Sequence, residues 1–119
     1  MPPTSRQRLG QAAEDLAAQH LQQQGFAIVA RNYRYQRAEV DLIAQKDQLL
    51  VFVEVKARRS DQFGHPEEFV SPQQQARLQE AAEHYMIVQD WNHAIRFDVI
   101  AVSSKNDQLE IAHFEDAFY

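Results

Sequence analysis

Two charged residues stand at alternate positions inside the most apolar stretch of the chain, Leu49-Leu50-Val51-Phe52-Val53-Glu54-Val55-Lys56. Side chains two apart on a strand share a face, so Glu54 and Lys56 project together from a segment that otherwise reads as core. Unpaired charge is costly to bury. Asp41 precedes them, and the polar turn Lys46-Asp47-Gln48 predicts an antiparallel hairpin that sets Asp41 roughly opposite Glu54. Two converging carboxylates repel unless a cation lies between them. A hard divalent ion, Mg²⁺ or Mn²⁺, suits such oxygen ligands, and the backbone carbonyl of Val55 would complete the set. Lys56 beside it would orient a water and stabilise charge on phosphoryl oxygens. This is a phosphodiester-hydrolysis site in outline, with Asp41, Glu54 and Lys56 as its catalytic residues. The competing reading is a satisfied ion-pair network of the same three residues.

The elements that position these groups are legible in the pattern. A first helix over about 5–24 is capped by Thr4 or Ser5 and carries the apolar stripe Leu9, Ala13, Leu16, Ala17 and Leu21, with Gly25 past its end. Glu14 lies at the margin of that stripe and is either a further metal ligand or an exposed helical glutamate. Extended segments follow at about 26–33, 39–44 and 49–57, the last apolar enough to be covered on both faces. Residues 58–70, with Gly64 and Pro66, read as a loop bordering the Lys56 end of the site. Ser71-Pro72 opens a second helix, and strands at about 95–102 and 109–114 close the chain. The order αβββαββ predicts an α/β mixed sheet in a single domain spanning 1–119, with a right-handed parallel crossover through the second helix.

Composition agrees with a soluble globular protein: 45% hydrophobic, 24% charged and no cysteine, which excludes disulfides and thiolate metal sites. No apolar run is long enough for a membrane span, and Met1-Pro2-Pro3-Thr4-Ser5-Arg6 lacks a secretory pattern, so a cytoplasmic protein without a membrane partner is expected. The net charge of −5 is unevenly placed. Residues 1–60 hold nine Lys/Arg against six Asp/Glu, and residues 61–119 hold three against eleven. Arg31, Arg34, Arg37, Arg58 and Arg59 lie in the basic half with the site, where they serve a nucleic-acid contact or are solvated surface.

Several blocks together resemble the YraN-like family of uncharacterised bacterial proteins: Gly10-Gln11-Ala12-Ala13-Glu14-Asp15-Leu16-Ala17, Arg31-Asn32-Tyr33-Arg34, Glu39-Val40-Asp41-Leu42-Ile43, Phe52-Val53-Glu54-Val55-Lys56 and Arg96-Phe97-Asp98-Val99-Ile100. That family is similar to archaeal Holliday-junction resolvases. The resemblance implies a restriction-endonuclease-like fold, Glu14, Asp41 and Glu54 as acidic metal-site positions, and Lys56 as the catalytic lysine. It further implies DNA as partner, with branched DNA and a two-fold dimer as expectations. Two residues depart from the family pattern: Ala38 stands where glycine is usual, and Gln74 where lysine is usual.

The remaining polar residues read as structural. The five histidines show no ligand-pair spacing on one element, Asp98 beside Arg96 reads as an ion pair, and Trp91 and Tyr85 read as packing residues. Glu39 shares the face of Asp41 and either supports the site or pairs with an arginine.

Overall fold

A computed structural model describes residues 2–58 and 70–118, apart from the side chain of Arg6. Arg59 and the loop over 60–68 expected beside the site lie outside the described residues. The elements are α1 (Ser5–Gln23), β1 (Ala27–Tyr35), β2 (Ala38–Lys46), β3 (Leu49–Arg58), α2 (Pro72–Val88), β4 (Ala94–Lys105) and β5 (Gln108–Phe118). The five strands form one sheet in the order β1-β2-β3-β4-β5, antiparallel except for the parallel β3–β4 pair. This is the α/β mixed sheet with the order αβββαββ.

Both helices begin and end as their sequences require. Thr4 caps α1 in a reciprocal box with Gln7, and Ser71 caps α2 ahead of Pro72 at its start. At the end of α1, Gly25 takes φ 94°, Gly25 N–H donates to Gln22 and Phe26 N–H reaches back to Leu21 at 3.0 Å. This is a Schellman ending, which needs a left-handed residue at that step. Asp90 fills the same step after α2 with φ 52°.

Each helix covers one face of the sheet. Ala13, Ala17 and Leu21 of α1 pack on Leu42, Val51 and Val53, whereas Leu78, Ala81 and Ala82 of α2 pack on Ile43, Phe52 and Val99. β3 is therefore buried on both sides, as its continuous apolar run requires. The strands extend beyond their expected limits because the turns are tighter than the sequence suggested. Tyr35 pairs with Ala38 and Lys105 with Gln108, leaving two-residue turns at Gln36-Arg37 and Asn106-Asp107. Gln36, Asn106 and Asp107 all carry positive φ, the conformation that two-residue hairpins demand. Gln36 is an unusual residue for it, so the β1–β2 turn left no clear signal.

Two local irregularities matter for the site. Val40 packs on the α2 face and Leu42 on the α1 face, although both have the same parity. The strand thus changes phase at Asp41, opposite Asn32, whose φ is 53°. On β4 the register slips between Phe97 and Val99, at Asp98.

Gly10 lies inside α1 with nothing within 4 Å of where a Cβ would sit. Helical glycine costs about 0.5–1 kcal/mol against alanine, so Gly10→Ala is expected to raise stability by about that amount in urea denaturation. An unchanged or lower midpoint would contradict this reading of α1.

Candidate metal centre

The β2–β3 ladder ends at the Leu42–Val53 pair, one residue short of Asp41 and Glu54, which line one cleft beyond it. Asp41 Oδ2 accepts the Val55 N–H at 2.7 Å, so its side chain closes the end of the ladder. Val55 thus enters the site through its amide nitrogen. Glu54 is only 8% exposed. Its Oε1 accepts from Gln74 Nε2 at 3.1 Å and lies 3.4 Å from Lys56 Nζ. Lys56 Nζ also donates to Gln74 Oε1 at 3.4 Å. One amide from the first turn of α2 therefore serves both the carboxylate and the ammonium. The Ser71 cap accepts the Gln74 N–H, which fixes the backbone from which that side chain reaches the strand.

Glu14 and Glu39 approach from the β1 side. With its nitrogen turned toward them, the Asn32 amide donates to Glu14 Oε1 at 3.2 Å and Glu39 Oε1 at 3.0 Å. No role was expected for Asn32. Its residue type was the available signal, because Asn tolerates the left-handed backbone and supplies two donors. Glu39 also binds Arg34 at 2.9 Å, which realises the pairing with an arginine. Arg31 binds Asp15 at 2.7 Å. Arg37 instead lines a cleft of about 400 Å³ together with Glu39, Asp41, Glu54, Gln74 and Arg77. Arg58 ends β3 with an exposed side chain. Gln74 and Arg77, neither of them an expected site residue, enter because α2 lays its first two turns along the cleft.

The electrostatics follow from this crowding. Burial, then the charge of Glu54, pushes the Asp41 carboxyl up to about 8 against the opposing Val55 N–H, with Glu14 and Glu39 adding to the rise. Burial raises Glu54 as well, opposed by Lys56 and Gln74. Burial raises Glu14, with Arg31 opposing and Glu39 adding. Among the described residues no three His, Asp or Glu side chains form a ready-made metal cage. Asp41 and Glu54 are the side chains that could hold an ion, with Glu14 beyond them.

A carboxyl whose pKa is raised by folding stabilises the protein below its unfolded value, and that contribution is lost as pH rises through the folded value. In EDTA, the denaturation midpoint is therefore expected to fall as pH climbs from the ordinary 3.8 toward about 8. Asp41→Asn should flatten that fall. An equal slope in the variant would show that Asp41 is not under this strain.

Residues 13–102 match the pattern of the uncharacterised protein family UPF0102. A UPF0102 protein of Flavobacterium psychrophilum is 47% identical over 111 residues, covering 93% of each chain. One from Christiangramia forsetii is 40% identical over 111 residues, again covering 93% of each. One from Chlorobium phaeobacteroides is 41% identical over 117 residues, covering 92% of each. The matched span begins one residue before Glu14 and contains Asn32, Asp41, Glu54, Lys56 and Gln74. The chain therefore belongs to UPF0102, an uncharacterised family, as the YraN-like blocks of its sequence imply.

Proposed function

We propose that the protein is a Mg²⁺-dependent endonuclease that hydrolyses DNA phosphodiester bonds. The observation that carries this reading is the Asp41 carboxylate bonded to the Val55 N–H in a cleft that Asp41 and Glu54 both line, with Lys56 Nζ 3.4 Å from Glu54. The donor set fits a hard ion. All its side-chain ligands are carboxylate oxygens, burial and then their mutual repulsion raise Asp41, and Mg²⁺ is commonly held by one or two carboxylates with water completing the shell. Asp41 and Glu54 would hold it, with the Val55 carbonyl and Glu14 as further oxygen donors. Bound there, Mg²⁺ (or Mn²⁺) supplies Lewis-acid polarisation of a phosphoryl oxygen.

The chain's own groups do the rest. Lys56 Nζ is held beside Glu54 and Gln74, two residues of the cleft, where its charge can orient a water and offset negative charge on the phosphoryl group. Arg37 and Arg77 line the same cleft and supply countercharge for the flanking phosphates. Branched or structured DNA as substrate, and a two-fold dimer presenting two sites to paired strands, follow from the resemblance to junction resolvases.

A second reading is a non-catalytic DNA-binding or assembly module of the same fold. The contacts that join Glu54, Lys56 and Gln74 into one network favour it. Incubating the protein with linear, flapped and four-way DNA separates the two. Cleavage that needs Mg²⁺ or Mn²⁺, stops in EDTA, and falls by about a hundredfold or more in Asp41→Ala and Lys56→Ala is expected. Metal-independent binding without cleavage of any of the three would leave the second reading standing.

A further inference from the structure

A second polar cluster lies on the α1 face of the sheet, away from Glu54 and Gln74. At its centre is Asp98, wholly buried. Its Oδ1 accepts from Arg96 Nε at 2.8 Å and from the Asp116 N–H at 3.0 Å. Its Oδ2 accepts from Arg96 Nη2 at 2.9 Å and faces His113 Nε2 at 2.7 Å. An ionised carboxylate can only accept, so this contact places the His113 proton on Nε2 and leaves a lone pair on Nδ1. That lone pair points at His20 Nε2, 3.0 Å away. Gln24 Nε2 stands 3.2 Å from the same His20 nitrogen. Where the Gln24 amide nitrogen donates there, His20 Nε2 is an acceptor too and two lone pairs converge; where its oxygen turns inward, His20 Nε2–H bonds His113 Nδ1 directly.

We propose that His20 Nε2 and His113 Nδ1 form a binding site for a divalent transition metal, Zn²⁺ being the fitting ion, with Asp98 as the carboxylate that orients His113. Two imidazoles holding one tetrahedral Zn²⁺ at ~2.0–2.1 Å set their nitrogens roughly 3.3 Å apart, a few tenths more than the separation seen. The rings meet edge-on at 73°, with centres 5.1 Å apart, so their nitrogens converge without stacking. A carboxylate on the far nitrogen of a metal-binding histidine is the arrangement that fixes its tautomer and raises its basicity. Gln24, four residues beyond His20 on the same helical face, can turn its side-chain oxygen inward as a third ligand, with water as the fourth. Imidazole selects Zn²⁺, Ni²⁺ or Cu²⁺ over Mg²⁺, so this site is chemically separate from the carboxylates of the cleft. Its structural effect is to clip α1 to β5, elements far apart in sequence.

The test uses the full chain carrying Asp41→Asn and Glu54→Gln, which removes the acidic pair. Calorimetric titration with ZnCl₂ is expected to show one ion per chain, not displaced by excess Mg²⁺. Adding His20→Ala, at a half-buried helix position, should keep the parent's circular dichroism spectrum and weaken binding at least tenfold. No saturable Zn²⁺ binding in the parent variant, displacement by Mg²⁺, or unchanged affinity on removing His20 would overturn the site.

Discussion

Burial of carboxylates gathered at one end of a covered strand, sharpened by their mutual repulsion, governs this structure. Asp41, Glu54, Glu14 and Glu39 all contribute to that field. The surrounding residues are placed to contain it: the Val55 N–H on Asp41, the Gln74 amide and Lys56 on Glu54, and the Asn32 amide between Glu14 and Glu39. The phase change of β2 at Asp41 and the left-handed Asn32 opposite it belong to the same arrangement, since they stand where the strands meet the acids.

The two faces of the sheet answer buried charge in opposite ways. Burial would raise Asp98 too, but hydrogen bonds from His113, Arg96 and the Asp116 N–H outweigh it and hold the carboxyl below its ordinary value. Asp98 is thus a compensated anion that stitches β5 to β4 across a register slip. Asp41 is under-compensated, with a single backbone donor against three neighbouring acids. Perturbation of this kind is what functional sites show more often than structural ion pairs do.

Much of this was legible in the chain. Apolar periodicity and the Thr4, Ser71 and Gly25 signals located both helices, and the Lys46–Gln48 turn brought Asp41 and Glu54 to one cleft. Less legible were features created by tertiary approach. Gln74 stands three residues after the Ser71 cap, and only the packing of α2 turns its amide onto Glu54. The arginines read as a nucleic-acid contact or as solvated surface, and the ion pairs of Arg31 with Asp15 and of Arg34 with Glu39 could not be read from spacing. Histidine spacing carried nothing because His20 and His113 meet across 93 residues of chain.

The sheet's sequential strand order bears on how the chain folds. All five strands join a sequence neighbour through a two-residue turn, so β1–β2–β3 and β4–β5 can each form by closing short loops. The parallel β3–β4 seam is different: Leu49 must find Ala94 across the whole crossover. Loop closure of that length is the entropic step that sets folding speed in such topologies. The acidic pair lies wholly on the local side of that seam, within the β2–β3 hairpin. The Gln74 amide that contacts Glu54 comes instead from α2, inside the long crossover.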